Sequence, residues 1–244
     1  MKVRIKFKKY GALRFIGHLD LMRFFQKVIR RAEIPIAYSG GFNPHMVMSF
    51  ASPLGIGITS DGEYLDIQLA EAIASEVAVR RMNEVSVEGI EVISFRQITD
   101  EKKMTGMSIF AAADYRCQAR QFIKEDQSTA DADSLWQAQW TQFMTLPEIL
   151  VDKKTKRSEQ EVDIKPMIYQ CSPGVSGEVY LQLAAGSVEN LKPNLVIKAF
   201  CEYHQLPITD TSFSYHRQEM YANVGKEGER KLVSLESLGE DIVL

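Results

Sequence analysis

The sequence predicts an α+β protein made of two tandem ferredoxin-like (β-α-β-β-α-β) units with antiparallel sheets. Three observations carry that prediction: an N-terminal strand with period-two alternation, a strongly amphipathic helix behind it, and the return of the same element order in the second half. The 244 residues suffice for two small domains, and 45% hydrophobic with 25% charged residues is ordinary for a chain that buries a core.

In the first half, "VRIKFKKY" alternates apolar Val3, Ile5 and Phe7 with basic Arg4, Lys6 and Lys8. One strand face therefore belongs to a core and the other is expected to be cationic. After a turn at Gly11, "HLDLMRFFQKVIRRAE" places Leu21, Phe24, Phe25, Val28, Ile29 and Ala32 at helical spacing. Asp20 near its start and Arg30 and Arg31 near its end suit the helix dipole. "PIAYSGGFN" and "HMVMSFA" read as short extended pieces, "GEYLDIQLA" as a strand, "AEAIASEVAVRRMNEV" as a helix and "GIEVISFRQI" as a closing strand.

The second series runs through "MSIFAAADYRCQARQF" as a strand and "DSLWQAQWTQFMTLPEIL" as a helix. "EVDIKPMIYQC" and "GEVYLQLAAG" then form two strands around an "SPGVSG" turn. A helix "KPNLVIKAFCEYHQ", opened by Pro193, and a last strand "FSYHRQEMYA" complete it. Domains are expected at 1–103 and 104–224, separated near the polar "TDEKKMTG" segment. A polar tail, 225–244, is either mobile or folded back through Leu232, Val233, Leu235 and Leu238. "VDKKTKRSEQ" reads as a loop, and Glu161, Asp163 and Lys165 as charges guarding an edge strand or forming a polar recognition surface.

The net charge of −3 hides an asymmetry: residues 1–50 carry ten Lys/Arg against two Asp/Glu, whereas residues 51–100 carry three against nine. A basic N-terminal lobe makes RNA a candidate ligand. No signal-like start and no run of eighteen uncharged apolar residues occur, so a cytoplasmic protein with no membrane partner is expected. Cys117, Cys171 and Cys201 lie too far apart for a Cys-x-x-Cys metal or cluster motif, so no cofactor and no metal site are expected.

The stretch "YSGGFNPHMVMSFASPLGIG", residues 38–57, has neither dinucleotide-binding nor phosphate-loop glycine spacing. Gly40 and Gly41 suggest a bend, and Pro44 holds Asn43 extended, so a kinked hairpin that projects Asn43 and His45 is expected. His18 opens the basic helix. The pair His18 and His45 are candidate acid and base for metal-independent RNA cleavage; the plainer reading makes His18 a helix cap and His45 a surface residue. Arg14, Arg23, Lys27, Arg30 and Arg31 form a candidate phosphate-binding stripe, with Tyr10 or Phe24 available for stacking if exposed. Glu63 and Asp66 fall on opposite faces of their strand and make a poor paired-carboxylate site, although Glu63 could face a basic group across the hairpin.

Three motifs carry a resemblance: Arg14-Phe15…His18-Leu19-Asp20…Arg23, Tyr38-Ser39…Gly41-Phe42-Asn43-Pro44-His45, and Gly62-Glu63-Tyr64…Asp66. In these the chain resembles the radical-SAM-linked protein family, a bacterial domain family of unknown function. "EVDIKP" and "LKPNLVIKAF" resemble its weaker C-terminal motifs, so the likeness covers most of the chain. Met46, Val47 and Met48 stand where a proline and a basic residue are expected, and Lys192 where arginine is commoner. The resemblance implies a radical-SAM protein as partner. Without a Cys-x-x-x-Cys-x-x-Cys motif, any radical step belongs to that partner. Likeness in element order to tandem ferredoxin-like endoribonucleases is an analogy of fold alone.

The expected function is therefore a non-catalytic accessory or substrate-presenting protein acting with a radical-SAM enzyme, with RNA as its candidate ligand. Arg14, His18, Arg23, Lys27, Arg30, Asn43, His45 and Glu63 are the candidate binding residues. The alternatives are an endoribonuclease using His18 and His45, and a pocket for a small molecule or peptide between the repeats.

Overall fold

A computed structural model describes residues 1–120, 128–154, 159–209, 211–226 and 228–244. It is a mixed α+β fold with mostly antiparallel strand pairing and, among the described residues, five helices. In chain order the elements are β1 (Lys2–Lys9), α1 (His18–Arg31), β2 (Met48–Phe50), β3 (Thr59–Gln68), α2 (Ser75–Glu84), β4 (Ile90–Ile98) and α3 (Gly106–Ile109). There follow β5 (Phe110–Ala119), α4 (Thr129–Thr145), β6 (Leu150–Lys154), β7 (Glu159–Asp163), β8 (Ile168–Pro173), β9 (Glu178–Ala184), α5 (Pro193–Tyr203), β10 (Phe213–Asn223), β11 (Leu232–Ser234) and β12 (Glu240–Asp241). Two compact units result: Met1–Ala112 with Arg217–Leu244, and Ala113–His216. The division falls inside β5 and β10, rather than in the polar segments that a sequence reader would choose.

In the first unit the strand order is β12-β4-β1-β3-β10, with β2 also on β3 and β11 also on β10. β1 lies between β3 and β4, antiparallel to both, with Ile5 opposite Leu65 and Phe95. Its apolar face is core as the alternation predicts: Val3, Ile5 and Phe7 are fully buried, and Phe7 meets Phe25 of α1 edge-on at 4.6 Å. α1 adds Leu21, Val28 and Ile29 to the same core. Each such side chain contributes about 1.5–3 kcal/mol through removal from water.

The opposite face of β1 is not the cationic surface that alternation suggests. Residues 102–109 and 232–238 cover it, and its cations are paired with carboxylates. Arg4 donates to both oxygens of its cross-strand neighbour Asp66 (2.8 and 2.9 Å) and to the carbonyls of Met104 (3.0 Å) and Leu235 (3.2 Å). Gly106 donates to the same Asp66 at 2.6 Å, and a Cβ there would lie 2.7 Å from Ala51 Cβ, so only glycine permits this close approach. Of the segment expected to be a tail, residues 228–244 fold back: Leu235 is fully buried, β11 pairs with β10, and Ile242 donates to Ser75 Oγ at 2.8 Å.

In the second unit the order is β10-β5-β9-β8, and β6 and β7 form a separate two-stranded hairpin. α4 and α5 meet through Trp140 and Phe200, stacked at 3.9 Å, and Trp136 donates to the Glu178 carbonyl at 2.8 Å. Pro193 opens α5 as its position predicts. The strand expected over "EVDIKPMIYQC" is broken into β7 and β8 by a 3₁₀ turn at Lys165–Met167. Pro166 cannot donate to a ladder, and Asp163 instead accepts from the main-chain N–H groups of Ile149 and Lys165. The "VDKKTKRSEQ" loop contains the end of β6 and the start of β7; its residues 155–158 lie outside the described residues.

Candidate functional site

α1 sorts its residues by face. Leu21, Phe25, Val28 and Ile29 turn inward, while Arg23, Lys27, Arg30 and Arg31 are exposed on the other side. Spacings of three and four put these cations in one stripe, about 12 Å long at 1.5 Å per residue. Arg23 lies 3.4 Å from Asp20, an exposed pair worth little. Among the described residues Lys27, Arg30 and Arg31 have no ion-pair partner.

The stripe begins beside an apolar patch. Arg14 sits on a 3₁₀ turn, Gly11–Phe15, with its guanidinium 4.7 Å from the Phe15 ring centroid. Its carbonyl accepts from Gly57 N–H at 2.8 Å, which draws the turn holding Ile56 against the turn holding Phe15. Phe15, Leu19 and Ile56 are each at least 60% exposed. Exposed apolar side chains grouped next to a basic stripe make this face a candidate interaction surface. Phe24, one of the two stacking candidates, is half-buried and packed on the core, whereas Tyr10 is exposed.

The two histidines have different partners. His18 is the first residue of α1 and does not cap it: Gly17 is the N-cap, without a side-chain hydrogen bond. The His18 ring packs edge-on against Phe50 at 5.2 Å, and its Nδ1 is buried without a hydrogen-bond partner. His45 instead turns back on its own loop, with Nδ1 2.8 Å from Ser39 Oγ. Its N–H donates to the same hydroxyl at 3.1 Å, and its carbonyl accepts from Ser39 N–H at 2.8 Å. Together with the Tyr38–Met46 bridge, these bonds clamp the neck of a small loop in place of a long kinked hairpin. Gly41, at φ +102°, turns the loop tip, and Phe42 and Asn43 stand exposed on it.

Glu63 faces a basic group, although not from the hairpin. Arg217 of β10 grips it with Nε to Oε1 at 2.8 Å and Nη2 to Oε2 at 2.6 Å, and also donates to the Ser52 carbonyl at 3.1 Å. Burial lowers the Lys9 pKa, opposed by the nearby Glu63 carboxylate and assisted by the Arg217 charge. A second cluster joins Lys6 to Glu219 (2.8 Å) and Glu236 (2.9 Å), with Tyr64 donating to Glu219 at 2.6 Å. Burial, then Glu219, raises the Tyr64 phenol far above its usual range, which leaves it a donor. Both networks are internally closed, so they hold the sheet together rather than offer a group to a ligand. Sequence reading missed them because Arg217, Glu219 and Glu236 lie more than 150 residues from their partners.

A cavity of about 680 Å³ lies elsewhere in the first unit, lined by Ser75, Val79, Arg80, Arg96, Glu236 and Ile242 among others. Its mixture of cations and carboxylates selects no ligand charge. Among the described residues there is no cluster of His, Cys, Asp and Glu able to hold a metal, and no helix long and apolar enough to cross a membrane.

One family model takes in most of the chain. The model of DUF2344, uncharacterized protein conserved in bacteria, matches residues 2–193. The chain belongs to that family. The match to DUF2344 takes in α1, the clamped loop, β3 and the whole course from β5 to the start of α5. Comparison with curated proteins gave no match.

Proposed function

We propose that this chain is a non-catalytic accessory protein that works with a radical-SAM enzyme and presents RNA to it through the outer face of α1. One observation carries the RNA part: the chain neutralises the cations of β1 internally, on Asp66, Glu219 and Glu236, yet leaves Lys27, Arg30 and Arg31 of α1 exposed and without an ion-pair partner among the described residues. A merely solvated helix is usually laced with opposite charges; within α1 this stripe has Asp20 alone, and exposed Glu33 follows just beyond the helix end. Phosphates engage Arg23, Lys27, Arg30 and Arg31 by counterion release, and the exposed rings of Tyr10 and Phe15 offer stacking for unpaired bases.

The motif resemblance supports a radical-SAM partner, which would contribute the iron–sulfur chemistry for which this sequence has no ligand motif. Both partners meet in the cytoplasm in this reading. Each unit is then a ferredoxin-like module, in keeping with the recurring orders β4-β1-β3-β2 and β10-β5-β9-β8. Binding is favoured over cleavage by His18 and His45, because the first imidazole packs on Phe50 and the second is tied to Ser39.

The test has two arms. Single-stranded RNA should bind with an affinity that falls with salt at a logarithmic slope of about −3, as four phosphate contacts require. The tagged chain should also retain a radical-SAM protein, the partner that the motif resemblance implies. A flat salt response ends the phosphate-stripe reading, and failure of the two proteins to associate ends the accessory one. RNA that is cut rather than held would favour the two-histidine alternative.

A further inference from the structure

Turn tips are ordinarily polar, because a tight turn leaves its central residues to solvent. Residues 55–58 are an exception. Ile58 N–H donates to the Gly55 carbonyl at 3.3 Å, Gly57 takes φ +85°, and Ile56 stands at the tip, 69% exposed. The bond from Gly57 N–H to the Arg14 carbonyl holds this tip against the 3₁₀ turn that ends in Phe15, and Leu19 follows in the first turn of α1. Phe15 and Leu19 are exposed to a similar degree, so none of the three side chains is spent on the core.

We propose that Phe15, Leu19 and Ile56 are a docking surface for an acidic, apolar segment of a partner protein, set beside the RNA stripe and separate from it. Side-chain chemistry speaks for protein. Leu19 and Ile56 are aliphatic and have no ring on which a base can stack, and the Arg14 guanidinium already lies over the Phe15 ring.

Charge selects the kind of protein. Arg14 sits within the patch and exposed Arg23 stands one helical turn beyond Leu19, against Asp20 as the carboxylate of that first turn. Carboxylates on the partner are attracted to these cations while its apolar side chains cover the three exposed ones. A second copy of this chain would bring Arg14 and Arg23 up to the same two cations, which disfavours self-pairing through this face.

Two synthetic peptides of about 16 residues test the proposal: one has leucines along one helical face and glutamates along the other, and its twin has lysine for every glutamate. Fluorescence anisotropy with the full chain should show the acidic peptide binding, more weakly as salt rises, and the lysine peptide not binding. Leu19→Ser and Ile56→Ser should each lower the acidic peptide's affinity about tenfold and leave the thermal melt unchanged, since both side chains are exposed.

RNA affinity should be the same in both variants as in wild type. The peptide arms decide even if wild type binds no RNA, so this proposal and the RNA reading fail separately. Equal binding of the two peptides, no binding of either, or acidic-peptide binding indifferent to both substitutions overturns the proposal. Loss of RNA affinity in Leu19→Ser also overturns it, by giving the patch to the RNA site. A wild-type dimer in sedimentation velocity that both substitutions dissociate does the same, by giving it to a second copy.

Discussion

Arg217 and Glu63 form a bidentate pair with Nη2 to Oε2 at 2.6 Å and Nε to Oε1 at 2.8 Å, their side chains only 3% and 2% exposed. The pair ties β10 to β3 across 154 residues of sequence. Two ions so far from water are stable only together. Removing one, as in Arg217→Met, should cost about 3–5 kcal/mol in denaturant unfolding because it strands a buried carboxylate. The double variant with Glu63→Leu should recover most of that loss; no recovery would mean that the pair is not a coupled unit.

The Lys6–Glu219–Glu236 cluster makes stability depend on pH in a stated direction. Burial works against the charge on Glu236, yet the Lys6 ammonium, Ser94 and Arg96 together hold its pKa below the ordinary 4.5. A depressed carboxyl stabilises the fold above its ordinary value, and that contribution disappears as pH falls through the folded one. Lys6 is the mirror case. Burial opposes its charge, but Glu219 and Glu236 raise its pKa above 10.5, so its contribution is complete below that value and lost at higher pH. Glu236→Gln should therefore flatten the acid limb of a stability–pH curve, at a cost of about 1–2 kcal/mol near neutrality. An acid limb as steep as in wild type would refute the assignment.

Leu235 tests whether the back-folded C-terminal segment matters to the fold. It is fully buried, and its carbonyl accepts from Arg4. Leu235→Ala should cost about 2–5 kcal/mol, the usual range for a buried leucine, whereas Leu238→Ala in the same 3₁₀ turn, only partly buried, should cost markedly less. Equal and small losses would show that the segment adds little.

Charge reversal on α1 separates binding from stability. Lys27 and Arg30 are exposed and without an ion-pair partner among the described residues, so Lys27→Glu with Arg30→Glu should shift the melting temperature little. RNA affinity should fall at least tenfold, with a salt slope shallower by nearly two contacts. Unchanged affinity would move any RNA site away from this helix.

The main elements of the first unit were legible because their signals are local. Apolar spacing in "HLDLMRFFQKVIRR" and alternation in "VRIKFKKY" report which face is buried, and α1 and β1 occupy those residues. The exposed stripe Arg23, Lys27, Arg30 and Arg31 was readable for the same reason, as the polar remainder of an amphipathic helix. The long hairpin and the unbroken "EVDIKPMIYQC" strand were not, since a clamp such as Ser39–His45 and a break such as Lys165–Met167 depend on bonds that periodicity does not register.

The sequence by itself determined where β1, α1 and most of the other long elements form and which of their faces are apolar, because that information repeats every two or three to four residues. Only the tertiary structure decided which cations remain at the surface. Arg4 and Lys27 look alike in the sequence, yet Asp66 and the carbonyl of Leu235 consume the first and nothing among the described residues consumes the second. The physical reason is that an ion pair or a hydrogen bond needs its partner within about 4 Å in space, while these partners stand 62 and 231 residues away along the chain.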